Sequence, residues 1–487
     1  MLFIEPIWLS ILIPILFALV LLMASLAVRY WRRAAFDKAV FLAAAGLALA
    51  FVTGGAFFAA LLVGFVLFTH WIALAIERAA DRAKGGHPHG PPPARIWLAA
   101  AVGVQVAMVA AISRGGFVAG PLRGIAQMLV PFGVSYFALH GISYVFDVYR
   151  RRAAAERSRL QLAVHLLLLP QIVGAPLSYQ GVARQLARQW PSISDYSYGV
   201  RRLLIGVWKV FVMAALAGRQ ADIAFALRPG GLTAFQAWLG LVGFTLQMYY
   251  GFSGYSDMGI GLARMVGIRL PENFRWPYVG DSVRDFWRRW HIGLSAWFRD
   301  YADLSLDADR VPPPSAGREA LTVFLCAIWY GIGWTFVAWG VYHAALVAWE
   351  WFGGEALLRR VPAPLRHTYL LIVVMAGWVL LRSQTLGGAL LYFKALAGLN
   401  VVAPQAQPPI GLGVWLVLAA GAIGCAPLFS TIRRWTVAID ALIVSLLMML
   451  FAAVLFAWRC VWIVVSPMVR WWRWSQVRIG GGGGRAL

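Results

Sequence analysis

Acidic side chains are scarce in this 487-residue chain, with 20 Asp and Glu against 43 Lys and Arg, and all charged residues together make up 13%. Soluble domains average about 25% charged, so a set of soluble domains is excluded. Cysteine is scarcer, with 3 in all. Cys326, Cys425 and Cys460 lie in or beside apolar stretches at no metal-ligand or disulfide spacing, and read as core residues. Alternating strand patterns are missing, and the apolar runs are too long and uniform for a β-barrel. The net charge of +23 does not point to nucleic acid either. The arginines form short clusters between apolar runs, as expected of orientation signals beside anionic lipid, and build no soluble basic domain.

What the chain does have is apolar sequence, 61% of it, and 24 Trp. This predicts an all-α polytopic membrane protein with roughly eleven or twelve membrane segments at about 20 residues per crossing, some short or re-entrant. One integral membrane domain is expected over residues 1–487, with N-terminal helices to 160, a core from about 161 to 352, and C-terminal helices and tail over 353–487. A first span over Trp8–Val28 is followed by the basic cluster Arg29–Arg33, placing the N-terminus outside and the cluster in the cytoplasm. Ala39–Glu77 is long enough for two crossings broken near Gly54–Gly55. His87 and His89 fall in a polar loop with no carboxylate or thiol nearby and read as linker. Leu160–Leu177, interrupted by Pro170, Gly174 and Pro176 and flanked by Arg-rich sequence, reads as re-entrant.

The stretch richest in chemistry is DFWRRWHIGLSAWFRD, Asp285–Asp300. Read as one helix, it puts Arg284, Arg288, His291 and Ser295 on one face and Phe286, Trp290, Gly293 and Trp297 on the other. Neighbouring guanidinium groups would favour a neutral His291, the form that accepts a proton. The alternative is an interfacial histidine bonded to a lipid phosphate or a backbone carbonyl. His343 lies inside an apolar span, with Trp339 one turn earlier, and is open to catalysis or to a single helix–helix hydrogen bond. Ser256 and Asp257, in GFSGYSDMG at a span's end, either cap the next helix or line a polar channel. Tyr330 sits at a Gly-broken joint where a cavity wall is expected. Asp300, Asp303, Asp307 and Asp309 read as a solvated loop without calcium-loop spacing.

Five blocks, in order, carry a resemblance: LVPFGVSYFALHGISYVFDVYRR (Leu129–Arg151), LPQIVGAPLSY (Leu169–Tyr179), FSGYSDMGIGLARMVGIRLPENFRWPY (Phe252–Tyr278), DFWRRWHIGLSAWFRDY (Asp285–Tyr301) and GWVLLRSQTLGGAL (Gly377–Leu390). Together they resemble the membrane-bound O-acyltransferase family, in its bacterial branch of alginate O-acetyltransferases and D-alanyl transferases. The resemblance implies a ring of helices around a thin waist in the bacterial inner membrane. It implies transfer of an acyl group, most simply acetyl, from a cytosolic thioester (acetyl-CoA or an acyl carrier protein) to a hydroxyl of an extracytoplasmic glycan. A periplasmic partner would complete the transfer, and no bound cofactor or metal is implied. Catalytic roles fall to His291, His343 and Tyr330. A donor channel would be lined by Asp257, Ser256, Asn273, Arg288, Trp287, Trp290, Ser295, Trp329 and Trp334.

The chain departs from the family where a Trp-His-Gly block is usual, reading Trp329-Tyr330-Gly331 instead. SLDADR (Ser305–Arg310) likewise replaces a Pro-Leu-Gly-Gly stretch. A phenol of pKa near 10 is no neutral-pH base. Three readings follow: His291 or His343 takes the base role, Tyr330 relays the acyl group, or the chain is a channel, flippase-like or scaffold component without transferase chemistry.

Overall fold

The computed structural model describes residues 38–82, 92–113, 134–168, 178–186, 191–226, 231–301, 313–331, 333–400 and 411–426. The first span, the loop histidines His87 and His89, the Pro170–Pro176 stretch, Asp303–Arg310 and the C-terminal tail lie outside them. The described residues belong to one compact unit, Met1–Ala426. Every regular element among them is helical. Two stretches, Phe58–Arg82 and Ala363–Arg382, are long and apolar enough to cross a bilayer unaided.

Helix α1 (Lys38–Arg82) packs on α2 (Pro92–Ser113), α3 (Val134–Tyr149) and the short α4 (Arg159–Leu167). The two crossings expected in Ala39–Glu77 are instead one helix, which runs through Gly54–Gly55 without a break. A helical glycine costs only about 1 kcal/mol relative to alanine, a preference and not a stop signal. Helix α5 (Tyr179–Leu186) and α6 (Ile193–Trp208) follow, the latter opened by a capping box between Ser192 and Asp195. A π turn (Lys209–Ala214) joins α6 to α7 (Ala215–Ala226).

The long α8 (Ala234–Met265) begins at a second capping box, Thr233 with Gln236. It runs without interruption through GFSGYSDMG, so Ser256 and Asp257 are mid-helix residues and cap nothing. The glycines there serve a close crossing. A Cβ on Gly254 would meet the Gly206 carbonyl oxygen at 2.8 Å, and one on Gly261 would meet that of Gly199 at 2.6 Å. Glycines seven apart on α8 thus face glycines seven apart on α6, which lets the two backbones touch.

Helix α9 (Val283–Arg289) and α10 (Ile292–Tyr301) come next, then α11 (Ala316–Tyr330), α12 (Trp334–Trp349), α13 (Glu355–Arg359), α14 (Ala363–Arg382), α15 (Leu386–Leu396) and α16 (Leu412–Gly424). Helices α11 and α12 form an antiparallel pair around Gly331, and α14 packs on α12 and α8. Buried Trp290, Trp339 and Trp378 stand where these elements meet.

Candidate active site

The one helix expected over Asp285–Asp300 is two. Trp290 is extended, at φ −96° and ψ 122°, and His291 takes a left-handed backbone, φ 47°. That conformation is costly for a residue with a side chain, and the surroundings hold it in place. Ile292 N–H donates to the Asn273 carbonyl (2.9 Å) and Gly293 N–H to Asn273 Oδ1 (3.0 Å). Arg275 N–H donates to the Arg289 carbonyl (3.0 Å). Asn273, completely buried, thus replaces the intrahelical bonds that the break removes. Helical periodicity cannot register this, because its cause lies some twenty residues upstream.

The start of α9 is fixed as firmly. Ser282 accepts from Asp285 N–H (3.1 Å), and the buried carboxylate of Glu350 accepts from Val283 N–H (2.7 Å) and Arg284 N–H (2.8 Å). An anion at a helix N-terminus meets both the free N–H groups and the dipole. The arginines leave the histidine. Arg284 pairs with Glu319 and Glu355, and Arg288, half-exposed, lies 3.8 Å from Glu319. His291 lies in the link between α9 and α10, outside either helix, and burial, not flanking guanidinium groups, lowers its pKa.

Around His291 the structure closes an aromatic box. Phe274 stacks on the imidazole (5.7 Å, 18°), and Trp329 meets it edge-on at 5.8 Å. Both ring nitrogens have phenol partners: Nδ1 lies 3.1 Å from Tyr330 Oη and Nε2 lies 3.3 Å from Tyr136 Oη. Trp290 Nε1 donates to Tyr330 Oη at 3.1 Å. Ser295 Oγ touches Cys326 Sγ at 3.8 Å, one turn before Tyr330 on α11. Tyr136 lies in the block Leu129–Arg151, and the sequence gives it no role: its partner His291 is 155 residues away.

His343 stands apart from His291. Its Nδ1 accepts from Trp287 Nε1 at 3.4 Å, while Nε2 has no hydrogen-bond partner among the described residues and presses on Gly377, where a Cβ would sit 2.4 Å away. Trp339 lies between His343 and Tyr330, 5.5 Å from each ring. Asp257 is buried in an ion-pair network, 2.6 Å from Arg202 and 2.7 Å from Lys209, with Arg202 also held by Glu272. The Ser256 hydroxyl beside it has no hydrogen-bond partner among the described residues. Trp334, 78% exposed, is on the surface of α12. The sequence-predicted residues thus divide into three groups. Tyr330, His291, Trp290 and Trp329 share one box with Asn273 behind it, Trp287 and His343 form an adjoining pair, and Asp257 sits at the α6–α8 crossing.

An imidazole bonded to a buried phenol at the start of a Gly-broken joint is an arrangement that can move a proton to and from oxygen. The membrane-bound O-acyltransferase family profile matches residues 171–375, the segment that holds α8 to α12 and all but Tyr136 of the box. The chain belongs to that family and is an O-acyltransferase.

Among its relatives is a probable alginate O-acetylase of Pseudomonas putida, 33% identical over 353 residues that make up 70% of each chain. A peptidoglycan O-acetyltransferase of Helicobacter pylori is 27% identical over 70% of each chain. A teichoic acid D-alanyltransferase of Bacillus subtilis is 25% identical over 44% of this chain and 57% of that protein.

Proposed function

We propose that the protein takes an acyl group, most simply acetyl, from a cytosolic thioester and delivers it across the inner membrane to a hydroxyl of a cell-envelope polysaccharide, with a periplasmic partner completing the transfer. The donor is acetyl-CoA or a charged acyl carrier protein. The named activities of the relatives, on alginate, peptidoglycan and teichoic acid, support a polymer acceptor outside the cell.

The observation that carries the chemical part is the 3.1 Å contact between Tyr330 Oη and His291 Nδ1. Tyr330 attacks the thioester carbonyl, its proton passes to Nδ1, and the C–S bond breaks. The imidazolium returns that proton to the departing thiolate, which leaves as thiol. In the second half the acceptor hydroxyl attacks the tyrosyl ester, its proton goes to His291, and the phenolate takes it back. His291 alternates between base and acid, and the aromatic box keeps water from the ester.

The test is mass spectrometry of purified protein after incubation with labelled acetyl-CoA or charged carrier protein. Label esterified to Tyr330 in the wild type, and missing from Tyr330→Phe and His291→Ala, is the expected result. Turnover that persists in Tyr330→Phe would reject the relay. No turnover in the wild type, but donor hydrolysis in Tyr330→His, would favour the scaffold reading, with an emptied site.

A further inference from the structure

Two tautomers fit the contacts of His291, and each leaves one phenol proton without an acceptor among the described residues. Trp290 Nε1 can only donate, so it donates to Tyr330 Oη. The Tyr330 proton then needs an acceptor, and among the described residues the other group bonded to Oη is His291 Nδ1. If Nδ1 carried a proton, two donors would point at Tyr330 and the buried phenol proton would have nowhere to go. With Nδ1 accepting, the proton left over is instead that of Tyr136, which is only part-buried where Tyr330 is buried, so Tyr330 donates and Nδ1 accepts. A neutral imidazole has one N–H, which falls on Nε2, and Nε2 faces Tyr136 Oη at 3.3 Å.

We infer that Tyr136 is a positioning residue of the active site: by accepting the Nε2–H bond it holds His291 in the tautomer whose Nδ1 lone pair faces Tyr330. Its place matches that of the orienting third member in a nucleophile–base–orienter arrangement, with a phenol where a carboxylate is more familiar. Once Nδ1 takes the Tyr330 proton, the Nε2–H of the imidazolium still has its acceptor, and the ring does not rotate. Tyr136 comes from α3, outside the segment that the family profile matches. Its ring is fixed edge-on against Trp329, at 4.9 Å and 84°, so the dipeptide Trp329–Tyr330 sets both phenols at once. In its role for catalysis, this inference rests on the tyrosine–histidine chemistry proposed above.

The experiment is nitrogen-15 NMR of the full-length protein labelled at histidine, in nanodiscs, with the His291 signals assigned from a His291→Gln variant. Wild type is expected to show His291 as the Nε2–H tautomer, a readout that needs no variant to fold and no substrate. Tyr136→Phe keeps the ring and its packing on Trp329. It is expected to admit the Nδ1–H tautomer and to lower kcat about ten- to a hundredfold, the range for a group that orients a working imidazole, with KM unchanged. An Nδ1–H wild type, or a Tyr136→Phe variant with wild-type tautomer and kcat, would overturn the inference. If the expected tautomers are seen but Tyr330 never carries label, the relay fails and the positioning role stands.

Discussion

Two clusters of buried histidine and tyrosine share this unit and behave differently. In one, His291 has a phenol on each ring nitrogen and a left-handed backbone stapled by Asn273. In the other, His140 of α3 and His165 of α4 face each other at 5.6 Å, with Tyr144 and Tyr179 alongside. His140 faces the Leu166 carbonyl, and neither nitrogen of His165 has a hydrogen-bond partner among the described residues. The tyrosines there turn away: Tyr179 donates to Glu156, and Tyr144 accepts from the Glu156 N–H. His291, His140 and His165 are all buried, so burial alone does not tell the two clusters apart. Directed partners and backbone strain held by remote residues do. His343 lies between the two cases, with one nitrogen bonded and the other pressed on Gly377.

The comparison can be broken at several points. Tyr330→Phe removes the oxygen that His291 faces while leaving the aromatic packing intact. Acyl transfer measured with labelled donor should fall by about a thousandfold or more, within the range for loss of proton transfer and nucleophile together. Activity above a tenth of wild type would put His291 in the same class as His165.

Asn273→Ala removes the side-chain acceptor for Gly293 N–H and unpins the His291 turn. An unfolding free energy lower by about 2 kcal/mol is expected, with a fall in kcat beyond what the unfolded fraction explains. Wild-type kcat in the folded protein would show that the turn holds itself. Gly377→Ala drives a methyl group into His343 Nε2. Overpacking should cost about 1–3 kcal/mol, with the tautomer signal of His291 unmoved. A displaced His291 signal would join the two histidines into one site.

The smallest effect belongs to the other cluster. His165→Phe exchanges a ring with two unpaired nitrogens for an apolar one of similar shape. Thermal unfolding should change little or move upward, by about 1 kcal/mol at most, and acyl transfer should stay at the wild-type level. A tenfold loss of transfer would mean that the His140–His165 pair has a role of its own.

Much of this protein was legible in the chain. The helical class and the family blocks follow from sequence pattern and resemblance, as does the choice of Tyr330 and His291 as candidates, whereas Asn273, expected as channel lining, pins the His291 turn. The errors had a common form. Gly54–Gly55 and the GFSGYSDMG run were read as ends of helices, because glycine is a breaker in isolation. Here the helices continue, and at the α6–α8 crossing the lost side chains are repaid by backbone contact. Asp285–Asp300 was read as continuous because its periodicity is good. Its break comes from Asn273, which no local window contains. Arg284 and Arg288 sit near His291 in sequence, yet their guanidinium groups go to Glu319 and Glu355.

By itself, then, the sequence determined the solvent the chain is built for, the helical class and the stock of reactive groups, because hydrophobicity and residue chemistry are properties of the residues. Only the tertiary structure decided which histidine has a phenol on each ring nitrogen. Hydrogen-bond partners such as Tyr136 and Tyr330, 155 and 39 residues from His291, are matched by distance and direction in space. A linear chain carries no record of that direction until it folds.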